Sequence, residues 1–178
     1  DVERRILRRQ LEANLNCPAT TSMGRLFDAV AALAGVRQSI TYEAEAALNL
    51  ETLAARSGPA DAPYPLPLAG GEPMRIDWRP LVGAVVRDLE AGVAAGVIAA
   101  RFHEAVAVMI AEACRRLREA TGIGRVGLTG GVFQNSLLVR RTVTGLRAEG
   151  FDLLLHHRVP CNDGGLALGQ AVIARRSS

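Results

Sequence analysis

Two glycine-paired peptides carry the strongest chemical signal in this sequence. The first, Gly130-Gly131-Val132-Phe133-Gln134-Asn135, falls between a predicted strand and a predicted helix. Without a Cβ the paired glycines can take positive φ and let a ligand lie against the backbone, while the helix start behind them offers free N–H groups to an anion. A nucleotide phosphate or ribose suits such a turn, and a plain tight turn uses the same residues. The peptide is neither GxGxxG nor a Walker loop. The second, Pro160-Cys161-Asn162-Asp163-Gly164-Gly165, has the same strand-to-helix setting. Asp163 is a hard-oxygen metal ligand or a general base by type, and equally an N-cap beside turn glycines. Both turns fall at the carboxyl ends of strands, where open parallel sheets bind ligands, so one bridging ligand would touch both.

Asp28 is the one charged residue between Leu26 and Val36. A carboxylate in so apolar a stretch needs a partner, either a ribose diol or one of the arginines. Glu43 and Glu45 are further acceptors, or dipole compensation at a helix start. His103 has Ala107 at i+4, so it reads as a core or boundary histidine and not a metal ligand. His156 and His157 end a strand beside the second turn, and strand alternation lets one of them at most face a site there. There is no HxxxH pair, no GxSxG elbow and no visible base beside Cys17, Cys114 or Cys161, so a nucleophile within the chain has little support.

The elements that must hold these residues follow from periodicity. Val2, Ile6, Leu7, Leu11 and Leu15 predict an amphipathic helix over 2–15, stopped by Pro18. Thr20 to Ser22 offer N-caps for a helix carrying Leu26, Phe27, Val30 and Leu33, with Gly35 as its C′ residue. A third helical stretch follows Tyr42. Residues 57–73 hold five of the eight prolines and read as a loop or flap, with a short strand at 64–68. Helices are predicted over 79–91 and on to about 121, the second burying one stripe through Ile98, Phe102, Val106, Met109, Ala113 and Leu117. The last third reads strand 125–129, helix 134–149, strand 152–156, helix 166–175, with the strands parallel through a right-handed crossover.

Composition narrows the chemistry. The 178 residues are 49% hydrophobic and 22% charged, which fits one globular domain or one lobe of a larger one, and which excludes global disorder. All 21 basic residues are arginine, so P-loop, Schiff-base and general-base lysine mechanisms are excluded. A net charge of +3 with 4% aromatics argues against nucleic acid as partner. The three scattered cysteines suggest neither a disulfide framework nor a zinc site, and a reducing cytoplasm fits. No apolar run reaches the length of a membrane span. The chain opens on Asp1, which reads as a piece of a longer protein.

Taken together, four ordered peptides resemble the C-terminal region of the HypF family of hydrogenase maturation carbamoyltransferases. They are Thr21-Ser22-Met23-Gly24-Arg25-Leu26-Phe27-Asp28-Ala29-Val30, Tyr42-Glu43-Ala44-Glu45-Ala46, Leu128-Thr129-Gly130-Gly131-Val132-Phe133-Gln134-Asn135 and Asn162-Asp163-Gly164-Gly165-Leu166-Ala167-Leu168-Gly169-Gln170. The resemblance covers nearly the whole chain, and implies that residues 1–178 are the second lobe of an actin-like ATPase fold of the sugar kinase and Hsp70 type. That fold is α/β and helix-rich, with a small parallel or mixed sheet. The resemblance further implies that ATP and carbamoyl phosphate give carbamoyl-adenylate in an adjacent domain. This domain would then pass the carbamoyl group to the C-terminal cysteine of HypE, the route to the cyanide ligand of [NiFe] hydrogenase. By motif, Gly130, Gly131, Val132 and Asn135 would hold the nucleotide, Asp28 and Glu45 would face its ribose, and Asp163 would be one ligand of a divalent metal. The metal's other ligands would be two histidines outside this chain, so the chain alone is expected to be inactive. Ala44 stands where the family usually has glycine. Other readings of the same fold are an antibiotic O-carbamoyltransferase and a tRNA threonylcarbamoyl transferase; a reading from another class is a non-catalytic nucleotide-binding or scaffold module.

Overall fold

A computed structural model describes residues 2–176. Its elements run α1 (Val2–Glu12), α2 (Met23–Leu33), α3 (Glu45–Ser57), β1 (Leu68–Ala69), β2 (Arg75–Ile76), α4 (Arg79–Glu90), α5 (Ala95–Thr121), β3 (Arg125–Gly127), α6 (Ser136–Ala148), β4 (Asp152–Leu154) and α7 (Leu166–Arg176). Short 3-10 turns at Gly131–Gln134 and Asp163–Gly165 follow the two C-terminal strands.

The long helix α5 is the spine of the molecule. It packs along α3 on one side and α6 on another, and α2 closes over α3. Its apolar positions recur at helical spacing, and Ile98, Phe102, Val106 and Met109 are buried. Phe27 of α2 meets Phe102 edge to face, with ring centroids 4.7 Å apart. The stripe ends earlier than the periodicity suggests: Leu117 is exposed, because α5 has there outrun the helices that cover it. A smaller core of Ala111, Leu128, Leu146 and Phe151 lies beneath β3 and β4.

The helix-rich α/β reading holds, with two differences in the sheet and two at helix ends. The strands form two separate pairs: β1 with β2 antiparallel, and β3 with β4 parallel. The strand expected over 64–68 begins only at Leu68, since Pro63, Pro65 and Pro67 have no N–H for a ladder. Helix α1 stops at Glu12, well before Pro18, because Asn14 and Asn16 take left-handed backbone. Helix α6 starts at Ser136 and not at Gln134, because Asn135 has extended φ and ψ as its N-cap.

The proline-rich flap is tied down at its start. Arg101 of α5 reaches Asp61 through two nitrogens, at 2.8 and 2.6 Å, and Asp88 of α4 at 2.6 Å. Tyr64 donates to the same Asp88 at 2.5 Å, and burial with that carboxylate pushes the phenol well above its ordinary range. Among the described residues no helix is long and apolar enough to cross a membrane.

Candidate functional site

The parallel strands do what the sequence pattern requires of them. Their register pairs Arg125 with Asp152, Val126 with Leu153 and Gly127 with Leu154, and Leu128 N–H continues the ladder to the Leu154 carbonyl at 3.1 Å. Both strands therefore end at the same edge, and both glycine turns leave from it. The turns are joined directly: Gly130 N–H donates to the Cys161 carbonyl at 2.6 Å.

The first turn is anchored on both flanks. Val132 packs against the main core and Phe133 against the smaller one, so the 3-10 turn between them is pinned where the two cores meet. Gly130 has φ of 102°, which disfavours any residue with a Cβ, and a Cβ at Gly130 or Gly131 would meet nothing within 4 Å. Open space lies over the pair.

The start of α6 is not the anion site that the sequence suggests. Leu137 N–H is taken by Glu51 of α3 at 3.0 Å, and Leu138 N–H by Asn135 Oδ1 at 2.8 Å. Among the described residues Ser136 N–H at the head of α6 is left without a partner, and nearer the glycines so are the N–H groups of Gly131 and Val132. An anion would meet those donors first.

Asn135 is buried, and its amide is used at both ends. While Oδ1 caps α6, Nδ2 donates to His103 Nε2 at 2.9 Å. His103 is a fully buried core histidine whose Nδ1–H donates to the Ala99 carbonyl at 2.8 Å, so its Nε2 must be the acceptor. Burial holds its pKa down to about 4. Asn135 thus stands behind the turn and fixes its exit.

The second turn is built by contact. Asn162 Oδ1 accepts from Gly164 N–H at 3.2 Å, and a Cβ at Gly165 would lie 2.8 Å from the Pro160 carbonyl oxygen and 2.9 Å from Val159 Cγ1. Only glycine closes this loop without displacing backbone. Asp163 is exposed, and its carboxylate pairs with no other described residue.

The two remaining predicted acceptors differ. Asp28 lies on α2, which packs beside the Gly131–Gln134 turn, and its half-buried carboxylate pairs with Arg25 at 3.1 Å. Glu45 is buried and committed: Oε1 pairs with Arg37, and Oε2 accepts from Thr41 N–H at 2.7 Å and Thr41 Oγ1 at 3.1 Å. These bonds hold its pKa below the usual carboxylate range, the Thr41 amide above all. Glu45 is therefore a clamp on the 37–45 loop and not an open acceptor. Ala44 beside it is left-handed, with φ of 63°, a conformation natural to glycine.

Sequence reading missed Thr129. The register given above, extended two residues, sets it opposite His156, and His156 Nε2 lies 3.0 Å from Thr129 Oγ1. Of the two histidines it is His156 that bonds across to Thr129. With Gly127, Leu128, Leu154 and Leu155 they line a shallow cleft of about 350 Å³ at the strand ends.

Asp163 offers a cation one hard-oxygen ligand, and no group of three His, Cys, Asp or Glu among the described residues could hold a metal unaided. The free carboxylate fits one corner of a shared site and no more.

The chain is similar to known proteins over nearly its whole length. The family model described as carbamoyltransferase, Kae1-like domain, second subdomain, matches residues 1–170. Carbamoyltransferase HypF of Rhodobacter capsulatus is 47% identical over 174 residues, which are 96% of this chain and 22% of that protein. Carbamoyltransferase HypF of Synechocystis sp. is 37% identical over 165 residues, 91% of this chain and 20% of that one. A crystal structure of full-length HypF in the phosphate- and nucleotide-bound form superimposes with a TM-score of 0.91 at 37% identity, over 99% of this chain and 23% of that chain. The chain spans about a fifth of the length of these relatives.

Proposed function

The chain belongs to the Kae1-like carbamoyltransferase family, as the second subdomain of its actin-like ATPase fold, and on that premise we propose that it is the nucleotide-holding lobe of a HypF-type carbamoyltransferase. The nucleotide is ATP or the AMP moiety of carbamoyl-adenylate. Its phosphate lies on the free N–H groups of Gly131 and Val132, over the open space above Gly130, with Asn135 fixing the turn from behind. Asp28 exchanges Arg25 for the ribose hydroxyls, an exchange of one exposed partner for another that costs little. Glu45 serves the site indirectly, by holding the 37–45 loop.

Asp163 holds one side of a divalent cation whose other ligands are two histidines beyond this chain. A cation held there would supply Lewis-acid polarisation of the mixed anhydride and charge stabilisation for the AMP leaving group. The lobe itself needs no nucleophile, and none of the cysteines and serines among the described residues is paired with a histidine base. The attacking group is the C-terminal cysteine thiolate of HypE, and the carbamoyl thioester is the precursor of the cyanide ligand in [NiFe] hydrogenase maturation. Carbamoyl phosphate and ATP enter through the rest of the parent protein.

The observation that carries this reading is the Gly130 N–H to Cys161 carbonyl bond, which sets the nucleotide turn beside the Asp163 turn at one sheet edge. The test is Asp163→Asn in the full-length parent, with carbamoyl transfer to HypE followed by mass spectrometry. Transfer is expected to fall by about ten- to a hundredfold or more, the lower bound being that for loss of a group that merely supports a metal ligand. Formation of the adenylate, followed by pyrophosphate exchange, is expected to continue. Unchanged transfer would leave only a nucleotide-binding or scaffolding role.

A further inference from the structure

The junction between the two turns rests on one carbonyl. Cys161 O accepts Gly130 N–H at 2.6 Å and lies 3.5 Å from Thr129 Oγ1. A threonine hydroxyl has a single proton, and here it points to that carbonyl. The 3.0 Å contact between Thr129 Oγ1 and His156 Nε2 is then a bond donated by the Nε2–H tautomer of His156. Donation into the hydroxyl oxygen strengthens the hydroxyl as a donor in turn. Gly130 has no side chain of its own to anchor it, and a Cβ placed there would meet nothing within 4 Å. The start of the turn is held by the Gly130 N–H bond to the Cys161 carbonyl, and Thr129 adds a second contact to that same carbonyl.

We propose that His156 is a positioning residue of the site: through Thr129 and the Cys161 carbonyl it sets the spacing between the Gly130–Gly131 turn and the Asp163 turn. The nature of the site rests on the function proposed above, whereas the positioning is a property of the fold and is measured separately. His156 lies at the strand end, where its ring bonds to the hydroxyl of the residue directly before the glycines. Neither His156 nor Thr129 is assigned a contact with substrate.

The experiment uses the full-length parent protein with four variants: His156→Ala, His156→Gln, Thr129→Val and Thr129→Ser. Hydrogen exchange of the Gly130 amide is the first readout, because that N–H is the donor whose alignment is at stake. Exchange is expected to quicken by about tenfold in His156→Ala and Thr129→Val, as for loss of one hydrogen bond. His156→Gln, whose amide nitrogen reaches the Nε2 position, and Thr129→Ser, which keeps the hydroxyl, are expected to stay within about threefold of the parent. The second readout is carbamoyl transfer, where kcat should fall with the exchange defect and KM for the acceptor protein should stay. Parent-like exchange in His156→Ala would overturn the proposal, and so would an equal defect in His156→Gln, which would indicate a role for the ring other than its donor. If exchange responds as expected but the parent itself transfers no carbamoyl group, the positioning stands and the proposed function falls.

Discussion

Acidification is expected to destabilise this chain through His103, the buried histidine that shares a hydrogen bond with Asn135. In the folded state His103 stays neutral until about pH 4, chiefly because burial penalises the imidazolium; the Ala99 carbonyl opposes that shift, and the nearby Arg141 charge adds to it. In the unfolded chain the same ring protonates near its ordinary 6.5. Between these values the unfolded state binds the extra proton, so stability is full above pH 6.5, declines as the pH falls, and levels off below about 4. A separation of that size corresponds to about 3 kcal/mol, a large part of the stability of an ordinary domain. Protonation would also turn Nε2 into a donor facing the Asn135 amide donor, so the loss should be concentrated at the start of α6. The assay is urea denaturation at closely spaced pH values from 7 to 4, for the parent chain and for His103→Gln, which bears no titrating ring. Carboxylates such as Asp61, held down to about 2 by Arg101, lose their own contribution mostly at lower pH and do so in both proteins, so they cancel in the difference. The parent should lose about 3 kcal/mol more than the variant across this range. Parallel pH profiles would refute the reasoning.

Three further outcomes follow from close contacts in the fold. Gly96→Ala places a methyl 2.1 Å from Ser57 Oγ and 3.3 Å from the Leu53 carbonyl, where α3 and α5 touch. It should cost about 1–3 kcal/mol in thermal or urea unfolding, and Ser57→Gly in the same chain should recover part of that cost. Gly165→Ala should open the Asp163 turn, because its Cβ would collide with the Pro160 carbonyl; nucleotide affinity, by calorimetry on the full-length protein, is expected to weaken by about tenfold or more. Ala44→Gly removes the cost of a left-handed alanine and should stabilise by about 0.5–1 kcal/mol, seen as a rise of about 2 °C in Tm.

Most of the element order was legible from the chain. The 3.6-residue spacing of Ile98, Phe102 and Val106 marks α5, Gly35 marks the end of α2, and the strand–turn–helix order of the last third marks the parallel pair with its two turns at one edge. What sequence spacing misjudged was the ends of elements and the occupancy of polar groups. The strand expected before Leu68 and the longer first helix fail for local backbone reasons, missing N–H groups at prolines and left-handed asparagines, which outweigh apolar periodicity. The anion-binding start of α6 fails for a tertiary one, since Glu51 arrives from α3, 86 residues away in the chain.

The same division runs through the site. Residue type alone determined that the two turns needed glycine, that Asp163 was a candidate oxygen ligand and that no lysine chemistry was available, because those are properties of a side chain or of its absence. Whether a polar group is free for a ligand or already satisfied depends on which distant segment packs against it. Asn135 bonded to His103, Leu137 N–H taken by Glu51 and Thr129 meeting His156 across the strand pair are outcomes of that packing, whereas Glu45 is spent locally on Arg37 and Thr41. Most buried donors and acceptors find a partner, and the partner is chosen by the fold, across 32 residues for Asn135 with His103 and 86 for Leu137 with Glu51.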